Sequence, residues 1–133
     1  MEAGIWHIPA TRMKADRDHR IPLSAGAINL LESLPRFAGT GLVFPSAKTT
    51  MPSNMTLSAV LRRMEVLAVP HGFRSTFATW AQEQTVYPSD VLERALAHTV
   101  GNKTTAAYER GHQFDKRVQL MADWALYIDT KLS

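Results

Sequence analysis

Prolines stand at the ends of most apolar segments of this sequence, and they limit where regular structure can begin or end. Pro9 and Pro22 lack the N–H that a central strand needs, so their segments belong at a sheet edge or a strand end. Pro35 helps to end one helical pattern, whereas Pro70 and Pro88 each stand where a helix can begin. The chain is therefore predicted to be a short strand region followed by several separate helices.

A β-hairpin is predicted for residues 5–24. The first strand is Ile5-Trp6-His7-Ile8 and the second is Arg20-Ile21-Pro22-Leu23, with turn chemistry in the polar residues 14–18 between them. Ser24 follows the second strand and is placed to cap a helix that ends near Pro35.

Helical spacing predicts most of the remaining structure. A helix is predicted from Thr56, and its apolar face consists of Leu57, Val60, Leu61, Met64 and Leu67. Further helices are predicted from His71 to about Gln84, from Ser89 through Leu96, from Asn102 to Gly111, and from Phe114 to Leu132. The intervening residues 39–54 form a predicted loop, with Leu42-Val43-Phe44 as a buried anchor or short strand.

The last helix has an apolar face too wide to be left in water. Its main stripe consists of Val118, Met121, Ala125, Ile128 and Leu132, with Leu120, Trp124 and Tyr127 beside it. The whole pattern predicts a mostly helical α+β fold in one domain, residues 1–133, with an edge hairpin and about six helices.

Composition narrows the class of protein without deciding its function. The apolar and charged fractions, 45% and 20%, are those of a soluble globular protein, and no stretch approaches the roughly 20 apolar residues of a membrane span. The absence of cysteine excludes disulfides and thiolate metal sites and is compatible with the cytosol. A net charge of +3 favours an anionic partner such as nucleic acid.

His71-Gly72-Phe73-Arg74 places an imidazole and a guanidinium on one helix face, because positions three apart share a face. Phe73, Phe77 and Trp80 fall on a separate stripe that predicts core packing. A fork of donors beside a histidine suits a phosphodiester, although a capping histidine and a surface arginine would explain the same pair.

His98 and Tyr108 lie on the next predicted helices. A single histidine near a helix end is more often a capping partner, and a single tyrosine more often packs than attacks. Their order and spacing relative to His71 and Arg74 are what favour a catalytic function.

That order, His-x-x-Arg, a histidine in Leu96-Ala97-His98 and a tyrosine ten residues later, resembles the signature of the tyrosine recombinases. The surrounding segments are similar to the P4-type prophage integrases over nearly the whole chain: 6–14, 19–24, 71–77, 96–98, 102–108 and 120–125. The resemblance implies a partial integrase catalytic core, the C-terminal portion of that domain.

The resemblance also implies a role for each site residue. Tyr108 would attack the scissile phosphate, forming a 3′-phosphotyrosyl link and releasing a 5′-hydroxyl. Arg74 would stabilise charge on the phosphoryl oxygens, and His71 and His98 would contact the phosphate or assist proton movement. Lys14 would be the general acid for the leaving 5′-oxygen; without the resemblance it would be interpreted as a solvated cation at the hairpin tip.

Double-stranded DNA is the partner implied, in the cytoplasm of a bacterium, with site-specific integration as the function. Arg12, Lys14, Arg74 and Lys103 are the expected DNA contacts, and no metal or nucleotide cofactor is needed. The chain departs from the family in lacking a further arginine some tens of residues before the hairpin lysine, and in lacking the N-terminal DNA-binding domain. Because one lost donor to a developing charge costs a factor on the order of 10² to 10³ in rate, weak or no activity is expected of the chain alone.

Self-association, as a dimer or a higher species, is expected because apolar patches of more than a few hundred Å² are rarely left exposed. The candidate surfaces lie near Ile5, Ile8, Leu30 and Leu34 and along the last helix. Two other functions remain open: a non-catalytic DNA-binding or interaction remnant of a decayed integrase, and, more weakly, a metal protein that uses His71, His98 and His112.

Overall fold

The computed structural model describes residues 4–48, 50–98 and 110–132, and side chains within them except those of 110–112 and 132. The elements, in chain order, are β1 (Ile5–Ile8), β2 (His19–Pro22), α1 (Ala25–Ser33), α2 (Thr56–Arg63), α3 (Pro70–Gln84), α4 (Ser89–Ala95) and α5 (Arg110–Leu132). The mostly helical α+β prediction is therefore confirmed. The predicted short helix from Asn102 falls outside the described residues, and within them no helix is long and apolar enough to cross a membrane.

The hairpin forms as predicted, with its second strand beginning one residue earlier. β1 pairs antiparallel with β2, Ile5 opposite Pro22 and Ile8 opposite His19. A single 3-10 turn, Ala10–Arg12, follows β1, and its first amide donates to Asp18 Oδ1 at 2.8 Å. This hydrogen bond joins the two ends of the loop between the strands, and it therefore helps to fix the turn that carries Lys14.

Helix starts agree closely with the sequence. The Ser24 hydroxyl accepts a hydrogen bond from the Ala27 amide at 3.3 Å, which confirms the predicted N-cap of α1. Pro70 occupies the first turn of α3, and Pro88 immediately precedes α4. In both places the missing proline N–H would have had no partner within the helix.

The core lies where α5 packs against α3 and α4. Leu120 of α5 is fully buried together with Val91, and Trp80 is 6% exposed. Rings of α3 and α5 interleave, with the Trp80 centroid 5.0 Å from that of Trp124 and 5.6 Å from that of Tyr127. The packing interpretation of these aromatics is thus confirmed, since they contact one another in the interior.

The buried face of α5 differs from the predicted stripe. Leu120, Trp124 and Tyr127 meet the core together with Met121 of the predicted stripe, whereas Val118 is 45% exposed. The apolar surface of α5 is wider than one stripe, and the large rings of α3 select the part that is buried. The helix also begins at Arg110, so Gly111 lies in its first turn rather than after the end of a preceding helix.

Three predictions of burial or extent were wrong in the segment before α3. Residues 42–44 form no strand, and Phe44 is 64% exposed. α2 ends at Arg63 because Glu65 takes a left-handed conformation, φ 57°, and the Val66 amide turns back to the Leu61 carbonyl at 3.0 Å. Exposed side chains on and after this helix, and at the start of α3, include Leu57, Met64, Leu67 and Phe73.

A polar contact joins the α3–α4 connection to α5. The Tyr87 hydroxyl donates to Asp123 Oδ2 at 2.5 Å, and Gln119 Nε2 donates to Asp123 Oδ1 at 2.9 Å. Burial, followed by the hydrogen bond and the charge of Asp123, raises the pKa of Tyr87 to about 12. The contact therefore links the two segments through a phenol that stays neutral.

The hairpin docks on α5 through arginines. Arg117 Nη1 donates to the Arg20 carbonyl at 2.9 Å, and the guanidinium carbons of Arg20 and Arg117 lie 4.8 and 5.1 Å from the Phe114 ring centroid. His19 of β2 also forms a hydrogen bond with the Ala95 backbone at the end of α4. Burial, and then the charge of Arg117, lowers the pKa of His19.

We expect this depressed pKa to make stability depend on pH. The folded protein keeps His19 neutral where the unfolded chain takes up a proton, near the ordinary pKa of 6.5. Stability is therefore complete above that pH and falls as the pH drops below it. Urea unfolding at about pH 7.5 and about pH 5.5 should show a larger loss for the wild type than for His19→Gln. Equal losses would contradict the assignment, because the other histidines are common to both proteins.

Candidate active site

Arg74 connects α3 to the end of α4. Its Nη2 donates to the Leu96 carbonyl at 2.5 Å and lies 2.6 Å from His98 Nε2. Two of the residues that the sequence singled out, 24 positions apart, are thus in direct contact. The guanidinium is half-buried and His98 is exposed, so this contact lies at the protein surface.

Glu93 forms a further contact with His98, on the ring nitrogen that Arg74 does not touch. Its Oε2 forms a short hydrogen bond with His98 Nδ1, giving the line Glu93–His98–Arg74. The side chains of His98 and Glu93 are 48% and 40% exposed, which leaves the line open to solvent. Sequence reasoning missed Glu93, and the available signal was a carboxylate five residues before the histidine at a helix end.

The backbone after α4 places His98 beside Glu93. The His98 amide donates to the Glu93 carbonyl at 2.8 Å and the Ala97 amide donates to the Arg94 carbonyl at 3.1 Å. These two bonds form a Schellman motif, in which the residue after the cap is left-handed. Ala97 has that conformation, with φ 58°, although a Cβ there costs roughly 1–2 kcal/mol.

The other predicted residues are placed as follows. His71 is exposed in the first turn of α3, three residues before Arg74. Lys14 is exposed in the hairpin turn, and Arg12 is exposed in the 3-10 turn just before it. Tyr108 and Lys103 lie within residues 99–109, outside the described part of the chain. A single concave site shared by all of these residues therefore stays a prediction.

A metal site gains no support from the described side chains. Among them, no group of three or more histidine, aspartate or glutamate side chains is placed to hold a metal ion. The side chain of His112, which the metal hypothesis requires, lies outside the description.

Comparison with known proteins identifies the class. The Phage integrase family model matches residues 1–113. The chain is 41% identical over 128 residues to Prophage integrase IntA of Escherichia coli (strain K12), covering 92% of this chain and 31% of that protein. It is 31% identical over 148 residues to the Integrase of Enterobacteria phage P4, covering 96% and 34%. No solved structure matches.

The chain belongs to the phage integrase family, the tyrosine recombinases. It is also similar to the Integrase of Shigella phage Sf6, with 31% identity over 137 residues, 98% of this chain and 35% of that protein. The chain spans about a third of the length of the relatives it matches.

The strained end of α4 gives a direct test of this local structure. Ala97→Gly should raise the free energy of unfolding by up to about 1 kcal/mol, because relief of the left-handed strain exceeds the added entropy of the unfolded chain. The matched control Ala122→Gly, in the exposed interior of α5, should lower it by about 1 kcal/mol. Urea denaturation measures both, and destabilisation by Ala97→Gly would contradict the left-handed assignment.

Proposed function

We propose that this chain is part of a site-specific recombinase that cleaves and rejoins double-stranded DNA through a 3′-phosphotyrosine on Tyr108. The observation that carries the proposal is the contact between Arg74 and His98 at the junction of α3 and α4. A guanidinium suited to phosphate oxygens and an imidazole suited to proton transfer meet there, on the two segments whose motifs resemble the recombinase signature.

The reaction is a transesterification in which atoms balance without a cofactor. The Tyr108 oxygen attacks phosphorus and its proton passes to His98, the bond to the 5′-oxygen breaks, and Lys14 supplies a proton to the departing oxygen. Arg74, with His71, stabilises charge on the phosphoryl oxygens. A 5′-hydroxyl from another strand then attacks the phosphotyrosine by the reverse steps. This rejoins the DNA and releases Tyr108.

Lys14 acts from the hairpin, and the hairpin is fixed to α5 through Arg117 and Arg20. This docking supports a defined position for the general acid relative to α3 and α4. Arg12 and Lys103 are proposed to contact the DNA backbone on either side of the cleaved phosphate. A substrate of this kind implies the bacterial cytoplasm as the place of action, with prophage integration as the process.

The 133 residues alone are proposed to cleave slowly, because they correspond to about a third of the relatives' length. The second candidate is a DNA-binding remnant without catalysis. It is favoured by the cationic surface around Arg20, Arg94 and Arg117, whose mutual charge, after burial, lowers the pKa of Arg117.

A nicked duplex with a bridging 5′-phosphorothiolate tests the proposal, because its leaving group needs no general acid. The probe carries random sequence around the modified phosphate, since the attachment site is unidentified. We expect a slow covalent protein–DNA adduct on denaturing gels that is lost in Tyr108→Phe. Tyr127→Phe is the matched control, because its ring packs in the core, and its adduct should form at the wild-type rate.

The same incubations separate the two candidates. Non-covalent binding on native gels should weaken with salt for either function, because phosphate contacts dominate such affinity. Salt-dependent binding with no adduct from the wild-type chain would favour the remnant. An adduct that survives Tyr108→Phe would refute Tyr108 as the nucleophile.

Self-association is proposed from uncovered apolar side chains. Leu30 of α1 is 61% exposed, and Leu57 and Leu67 are 64% and 105% exposed, so a second copy can bury them. Light scattering at low micromolar concentration should show a dimer or a larger species. Leu30→Glu should shift it towards monomer, whereas Asn29→Glu adds the same charge at a neighbouring exposed position and should not. A monodisperse wild-type monomer would contradict the proposal.

A further inference from the structure

The hydrogen bonds around His98 determine which ring nitrogen carries its proton. Arg74 has only N–H groups to offer, so in their contact His98 Nε2 must accept. A neutral imidazole that accepts at Nε2 carries its hydrogen on Nδ1. That hydrogen is then donated to Glu93 Oε2, which is an acceptor when ionised. The two contacts are consistent with only this neutral tautomer.

Glu93 stabilises the same tautomer from the other ring nitrogen. Its backbone carbonyl accepts the His98 amide and its carboxylate accepts the His98 ring, so one residue orients both parts of the histidine. A second group on the other ring nitrogen is the usual means of fixing a histidine tautomer and ring orientation. Here the carboxylate and the histidine belong to the same helix end, joined by the Schellman turn.

We propose that Glu93 is a positioning residue that holds His98 in the Nδ1–H tautomer and keeps the unprotonated Nε2 in place, as the acceptor from Arg74 and as a proton acceptor in the proposed reaction. The catalytic consequence rests on the proposed function, whereas the tautomer itself does not. With Nδ1 bound to Glu93, Nε2 is the ring nitrogen that can accept a proton from Tyr108. Removal of Glu93 frees the ring to rotate and to change tautomer.

If Glu93 served only to end α4, replacing its side chain would not change which ring nitrogen of His98 carries the hydrogen. Glu93→Gln keeps an amide oxygen that can accept from Nδ1, whereas Glu93→Leu removes the acceptor at similar size. The matched controls Glu83→Gln and Glu83→Leu make the same changes at an exposed position on α3. Circular dichroism confirms that each variant is folded.

Long-range ¹H–¹⁵N NMR of the full chain labelled at histidine nitrogens reads the tautomer directly. The His98 signals are assigned by their loss in His98→Gln, and spectra are recorded where the ring is neutral. We expect a protonated-type Nδ1 shift and an unprotonated-type Nε2 shift in the wild type, in Glu93→Gln and in both Glu83 variants. Glu93→Leu should move the two shifts towards the Nε2–H form, which a solvated imidazole prefers.

A wild-type His98 with its hydrogen on Nε2 would overturn the proposal, and so would a Glu93→Leu spectrum identical to that of the wild type. The rate of adduct formation on the phosphorothiolate duplex should also fall roughly 10- to 100-fold in Glu93→Leu and recover in Glu93→Gln. Absence of any adduct would count against the recombinase proposal while leaving the NMR result to decide the role of Glu93.

Discussion

The packing of α5 across α3 and α4 is the contact on which the rest of the structure depends. Leu120 fills the space between the helices, and Trp124 and Tyr127 meet Trp80 of α3 at ring separations near those of favourable aromatic pairs. α3 and α4 contribute few residues each, so neither would bury its apolar face without the long helix. The separation of Arg74 from His98 therefore depends in part on the packing of a third element, α5, against the two helices that carry them.

The same helix also receives the hairpin, by a different kind of interaction. Arg117 bonds the β2 backbone and shares the Phe114 ring with Arg20, so cations, rather than aliphatic side chains, form this second junction. The proposed general acid Lys14 and the arginine–histidine pair are thus both positioned against α5, the first through the hairpin and the second through α3 and α4.

Local signals in the sequence were sufficient for the starts of α1, α3 and α4, since proline and a capping serine act within one turn. They were insufficient for the end of α2, at Glu65, because a left-handed residue that is not glycine cannot be recognised from its residue type. Helical period also identifies an apolar face without identifying its partner, which is why Leu57 was expected to pack and is exposed. The Arg74–His98 pair was found from the order of motifs, whereas Glu93 became visible only once the turn at Ala97 was known.

The left-handed backbone at Ala97 and the hydrogen bonds of Arg74 depend on each other. A left-handed alanine is costly, yet it brings His98 back over the last turn of α4, where Glu93 and Arg74 can both reach its ring. Arg74 is then oriented by the Leu96 carbonyl and by a neutral nitrogen, without an acidic partner in the contacts described for it. A carboxylate in that place would compete with an anionic ligand, whereas a carbonyl and an imidazole leave the guanidinium charge uncompensated. An arginine held in this way is oriented before a phosphate arrives and still carries the charge that attracts it.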